Sequence, residues 1–172
     1  MAEASRRAEN GRGCTVTATT LLTAEGTVTP SGSKSHITYT LHLHQDCHDL
    51  HVEFEYAPKK LEDEAESKRL IEAGLHQFNA GDNVRAYTDN WKAYLPLQNL
   101  LTISLDDETG FRGAAHRHDP VQHLVAGPDN ASPGLIPGSF PRGQLRITIS
   151  LHCIVTAQCR YKLHVWEGGS TS

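Results

Sequence analysis

His36-Ile-Thr-Tyr-Thr-Leu-His-Leu-His44 and, shortly after it, Leu50-His-Val-Glu-Phe-Glu-Tyr56 decide the fold of this chain. Ile37, Tyr39, Leu41 and Leu43 take every second place in the first run, and Leu50, Val52, Phe54 and Tyr56 do so in the second. Successive side chains of a strand face opposite ways, so this spacing builds one apolar and one polar face. The same alternation recurs further on. Leu101, Ile103 and Leu105 form a third stripe, and Leu145, Ile147, Ile149 and Leu151 alternate with Arg146, Thr148, Ser150 and His152. Tyr161, Leu163 and Val165 close the series, and the Thr-rich stretch from Thr15 to Thr29 supplies one or two more strands. The expected fold is mostly β: an antiparallel β-sandwich or jelly roll.

One segment breaks the alternation. Between residues 61 and 78 the chain is rich in Glu, Ala, Lys and Leu, and Leu61, Ala65, Ile71, Leu75 and Phe78 can share a helical face. Glu62, Asp63 and Glu64 sit where a helix dipole favours acids, and Gly81 lies beyond the expected end. The sequence therefore predicts one amphipathic helix against the β structure. Gly127 to Gly143, crowded with glycine and proline, reads as an ordered loop.

The chain has 172 residues, a length that suits a single domain. The expected division is a disordered lead-in over 1–13, a sandwich domain over 14–166 and a flexible tail over 167–172. Met1 to Gly13 lacks the apolar core of a secretory signal, no run of about 18 apolar residues occurs, and Cys14, Cys47, Cys153 and Cys159 form no CxxC pair. A cytoplasmic protein with reduced thiols and no membrane partner is the expectation. Charge is uneven: Asp46 to Glu66 is acidic, whereas Ser139 to His164 carries Arg142, Arg146, Arg160 and Lys162 and no acid. Those two surfaces suit pairing within the molecule or across a homodimer. A net charge of −4 and 6% aromatic residues argue against a nucleic-acid partner.

Eleven histidines stand against a single methionine. Histidine is the commonest metal ligand and the side chain that titrates near neutrality. His42 and His44, with Cys47, His48 and His51 behind them, form one group. Residues two apart on a strand project from the same face roughly 7 Å apart, within reach of one ion. The plain reading is a polar strand face. A second group runs through His116, Arg117, His118, Asp119 and His123, with Gly113, Ala114 and Ala115 clearing space ahead of it. With Arg112 and Arg117 these residues also make a cationic edge suited to an anion. His51, Glu53 and Glu55 share a strand face and suit either acid–base chemistry or plain surface. His36, His76 and His164 have no neighbours that suggest chemistry, and His152 stands alone on its strand. There is no Gly-rich phosphate loop, G-x-S-x-G elbow or H-E-x-x-H.

The spacing Gly110-x5-His116-x-His118 resembles the first half of the cupin metal motif. The acidic ligand of that motif falls on Gln122 or His123, and Pro141-Arg-Gly143-Gln-Leu-Arg146 sets an arginine where its later histidine belongs. The likeness is broken at two of four ligands. A wider resemblance is carried by Phe111-Arg-Gly113, His116-Arg117, Ala131-Ser-Pro-Gly134, Ile136-Pro-Gly138, Pro141-Arg-Gly143 and Cys159-Arg-Tyr161-Lys-Leu163-His-Val165. These resemble the β-sandwich domain that precedes the catalytic domain in PHP-type metallohydrolases of the carbaryl-hydrolase-like branch, and Leu50 to Leu61 looks like its earlier part. The resemblance covers the chain from about His48 onward. It implies a free-standing accessory domain, since no catalytic His-x-His domain follows here, and no hydrolase active site carries over.

The expected function is ligand binding or an accessory role through a histidine-lined metal or anion site. The metal candidates are His116, His118, His123, His42 and His44, holding a divalent zinc, iron or nickel ion. Arg112 and Arg117 are the anion candidates. The alternative is a small cupin-like enzyme acting on a small molecule, in which His116 or His51 moves protons and Glu53 or Asp119 orients the imidazole. A third reading is a structural module that binds a partner protein or a second copy through its strand edges.

Overall fold

The computed structural model describes residues 18–78 and 88–168. The expected lead-in over 1–13, Cys14 and Gly81 lie outside the described residues. Eight strands follow in order: β1 (Thr19–Val28), β2 (Ser35–Leu43), β3 (Leu50–Ala57), β4 (Leu100–Asp107), β5 (Gly110–Ala115), β6 (Val121–Ala126), β7 (Gly143–Cys153) and β8 (Cys159–Glu167). One helix, α1 (Glu64–Phe78), lies between β3 and β4.

The strands form two four-stranded sheets, β1-β8-β3-β6 and β2-β7-β4-β5, with every pairing antiparallel. β1 pairs with β8, β2 with β7, β3 with β6 and β4 with β5, so the chain is one long antiparallel ribbon rolled upon itself. That is the jelly-roll arrangement of a β-sandwich. The alternation in the sequence explains the layers. Leu50, Val52, Phe54 and Tyr56 point inward from one sheet and Leu101, Ile103, Leu105, Leu145, Ile147 and Ile149 from the other, all buried. Filling that interior with aliphatic side chains stabilises the sandwich by roughly 1.5–3 kcal/mol per large residue. A hydroxyl pair, Tyr39 to Tyr161 at 2.8 Å, ties β2 of one sheet to β8 of the other. Burial and that contact raise the Tyr161 pKa above its ordinary range.

The helix starts later than the expected residue 61. Lys60 bridges to Gln98, and the Leu61 N–H donates to the Leu97 carbonyl, so this stretch is pinned as an extended arm. Asp63 then caps the helix, accepting the Glu66 N–H at 3.0 Å. Its buried face is Ser67 and Ile71, whereas Phe78 is 73% exposed and Ala65 is exposed, against the expected stripe. The helix packs against the turn Trp91–Tyr94, with Lys92 paired to Glu64 at 2.8 Å.

The loop over 127–142 is ordered, as its composition suggests. Gly113 in β5 and Gly134 in the loop, both at positive φ, meet so closely that a Cβ on either would strike the other strand's backbone. The Ala114 N–H donates to the Gly134 carbonyl and the Ile136 N–H to the Arg112 carbonyl. Phe140 and Cys47 exchange both backbone hydrogen bonds. At the other end, Glu167 belongs to β8 and the Gly168 N–H donates to the Asp49 carbonyl at 2.7 Å, so the expected tail begins later than residue 167. Cys47, Cys153 and Cys159 are free thiols. Burial, with Glu167 nearby, pushes the Cys47 thiol up to about 12. Among the described residues no helix is long and apolar enough to cross a membrane.

Candidate functional site

The outer face of β1-β8-β3-β6 is built by register. The residues of β3 that alternate with its core stripe are His51, Glu53 and Glu55, and they face away from the interior. Across the sheet Trp166 stands beside His51, His164 beside Glu53 with His123 on the far side, and Lys162 beside Glu55 with Val121 on the far side. β1 adds Thr23 next to His164, Glu25 next to Lys162 and Thr27 next to Arg160. Imidazoles, one indole, carboxylates and cations thus stand in adjacent rows.

The rings are stacked. His51 lies 5.0 Å from Trp166 at an interplanar angle of 11°, and His164 lies 4.7 Å from Trp166 at 25°. His123 lies 5.3 Å from His51 at 21° and 5.4 Å from Trp166 at 16°. A hydrogen-bond chain runs through them: Asp49 Oδ2 to His51 Nε2 at 3.2 Å, then His51 Nδ1 to His123 Nε2 at 3.0 Å. A carboxylate only accepts, so His51 Nε2–H donates to Asp49. In the neutral ring His51 Nδ1 then accepts from His123 Nε2–H, which leaves the lone pair of His123 on Nδ1. Gly168 closes over this chain. A Cβ there would come within 2.6 Å of Asp49 Oδ2 and 3.0 Å of His51 Nε2, so any larger residue would have to displace the Asp49 carboxylate. His164 is held by Thr20 Oγ1 at 3.3 Å, and Lys162 pairs with Glu55 at 3.0 Å.

Two hollows lie on this face, the smaller one lined by two of the rings. One of about 270 Å³ is lined by Glu53, Glu55, Val121, His123, Lys162 and His164, among others. A larger one, about 590 Å³, lies over Glu25, Thr27, Ala57, Val121 and Arg160.

The expected metal set is not brought together. β2 and β5 are opposite edges of their sheet, so His42 and His44 stand far across it from His116 and His118. His123 lies on β6 in the other sheet, against His51. None of the eleven histidines is buried, and the interior between the sheets is built mainly of apolar side chains. Among the described residues no group of three or more His, Cys, Asp or Glu is placed to hold a metal ion. His42 and His44 only meet each other edge to face at 5.3 Å, and His116 lies 6.4 Å from His152.

Arg112 is placed differently from an open anion site. It is buried and ion-paired with the fully buried Asp107 carboxylate. Its guanidinium also donates to the carbonyls of Ser139 and Gly138, each at 2.9 Å, and lies 4.2 Å over the Phe140 ring. Burial works to raise the Asp107 pKa, but hydrogen bonds from Thr109 and Arg112 outweigh it and hold the carboxyl below its ordinary range. Arg112 is a clasp for the loop. Arg117 and Asp119 lie in the β5–β6 link, where their carbonyls accept from Gln122 Nε2, and Asp119 orients no imidazole. Glu53 also fails to orient His51: its carboxylate is 3.9 Å from His164, and Asp49 has the orienting place.

Of the residues gathered on this face, His51, His123 and Glu53 were candidates from the sequence, whereas Asp49, His164 and Trp166 were not. The alternation already places His164 and Trp166 on the polar side of β8, which was the available signal. No protein-family model matches this chain, and no curated protein matches it. A solved crystal structure from Sulfurospirillum deleyianum is similar at 9% identity over 83% of this chain and 96% of that one, with a TM-score of 0.29.

Proposed function

We propose that this chain is a ligand-binding β-sandwich module and that its ligand lies on the outer face of β1-β8-β3-β6. The observation that carries this is the ordered chain Asp49–His51–His123 stacked on Trp166, with His123 lining the smaller hollow. Imidazoles fixed by second partners are pre-oriented, and pre-orientation removes part of the entropic cost of binding. The sequence has two tryptophans, so Trp91→Phe leaves Trp166 as the lone reporter. Its fluorescence is to be titrated with amino acids, sugars, carboxylates and phosphates. At least one class should give a saturable change, and His123→Ala should weaken it by tenfold or more. If every class leaves Trp166 unperturbed, the reading fails.

The hydrogen-bond chain favours a second reading, a small acid–base enzyme. His123 Nδ1 would take a proton from a bound substrate while Asp49 stabilises the charge passed to the imidazole pair. Turnover of the ligand found by the titration, abolished by Asp49→Asn without loss of binding, would select this reading over simple binding.

A further inference from the structure

The larger hollow carries two charges that the fold leaves unused. Glu25 on β1 and Arg160 on β8 both line it, both are exposed, and neither makes an ion pair among the described residues. Lys162 and Glu55, which line the same hollow, are paired with each other at 3.0 Å. Arg160 stands directly opposite Thr27, so Glu25 is its diagonal neighbour. Diagonal positions across two antiparallel strands are about 7–8 Å apart. Long side chains at such positions can both reach one small ligand.

Part of the remaining wall is apolar. Val121 is 70% exposed and Ala57 is exposed beside it, and both line the same hollow. Ala57 on β3 stands directly opposite Arg160, with Val121 on β6 beyond it, so the hollow offers a carboxylate, a guanidinium and an apolar end. The volume of about 590 Å³ falls within the range of small-molecule sites.

We propose that this hollow binds an aliphatic α-amino acid, with Arg160 receiving the carboxylate, Glu25 the ammonium group, and Val121 and Ala57 the side chain. Arg160 suits the carboxylate because its planar fork donates two parallel hydrogen bonds. The proposal rests on reading this sheet face as a binding face and names a ligand class for it.

Calorimetric titration of the full chain at pH 7 with L-leucine, 4-methylpentanoate and 3-methylbutylamine tests it. L-Leucine should bind at least tenfold tighter than either half-analogue. Arg160→Gln should reduce L-leucine to the affinity of the amine on the unaltered protein, and Glu25→Gln should reduce it to that of the carboxylate. Absence of L-leucine binding overturns the proposal, as does equal binding of a half-analogue or an affinity within twofold in both variants. If L-leucine fails while another compound still perturbs Trp166, this inference falls alone. If both fail, the binding reading falls with it.

Discussion

The two outer faces of the sandwich are made by the same alternation and differ in what their side chains do. On β2-β7-β4-β5 several outward groups satisfy one another, His36 with Ser150 at 3.1 Å, Thr38 with Thr148 at 3.0 Å, and Thr102 with His152 at 2.8 Å, while Arg146 stays exposed. The paired groups are short side chains whose partners sit in the next strand. On β1-β8-β3-β6 the outward groups are rings and long charged chains, some paired and some not, around two hollows. Polar groups that already satisfy one another have little to offer a ligand. The second face keeps an imidazole lone pair, a guanidinium and a carboxylate in reserve.

The contrast can be broken at the scaffold or at the faces. Arg112→Ala should have the largest effect. It leaves Asp107 buried without its cation, a change that costs about 3–5 kcal/mol. Urea unfolding would measure this, and a loss below about 1 kcal/mol would show that the clasp does not hold the loop. Both faces depend on this scaffold, so both should weaken together.

Acid should act through the same pair. The folded Asp107 carboxyl has a pKa below its ordinary value of 3.8, so the folded state binds its proton less readily than the unfolded chain. Its contribution to stability is complete above that ordinary value and is lost as pH falls through the lower folded one. Unfolding midpoints measured from pH 5 to pH 2 should therefore drop, and Asp107→Asn should flatten that part of the profile. The smallest effect should come from Thr38→Val on β2-β7-β4-β5. It should shift stability by less than about 0.5 kcal/mol and leave the Trp166 titration unchanged. A change in ligand affinity there would erase the distinction between the faces.

The strands were legible because burial of one face writes a period of two into the sequence, as in Leu50 to Tyr56 and Leu145 to Leu151. The loop was legible from its glycines and prolines. The helix start was not, because Leu61 is captured by the Leu97 carbonyl, a partner distant in sequence. The candidate site was half legible. His51 and Glu53 share a face by alternation alone, whereas their neighbours come from β6 and β8, and pairing between strands leaves no local mark. The paired histidines His42-x-His44 and His116-x-His118 drew attention through spacing, but proximity along a strand does not supply the third and fourth ligands that a metal requires.

By itself the sequence determined which side chains face the interior of this protein and which face out, because that choice depends only on alternation along each strand. The tertiary structure alone decided which outward residues meet. β3 sits between β8 and β6, so His51 finds Trp166 on one side and His123 on the other, while Glu25 on β1 stands diagonally from Arg160 on β8. Strand order arises from the rolling of the whole ribbon, whose contacts join residues more than a hundred positions apart. That long-range pairing, and not any motif, turned scattered histidines and charges into a face with chemistry.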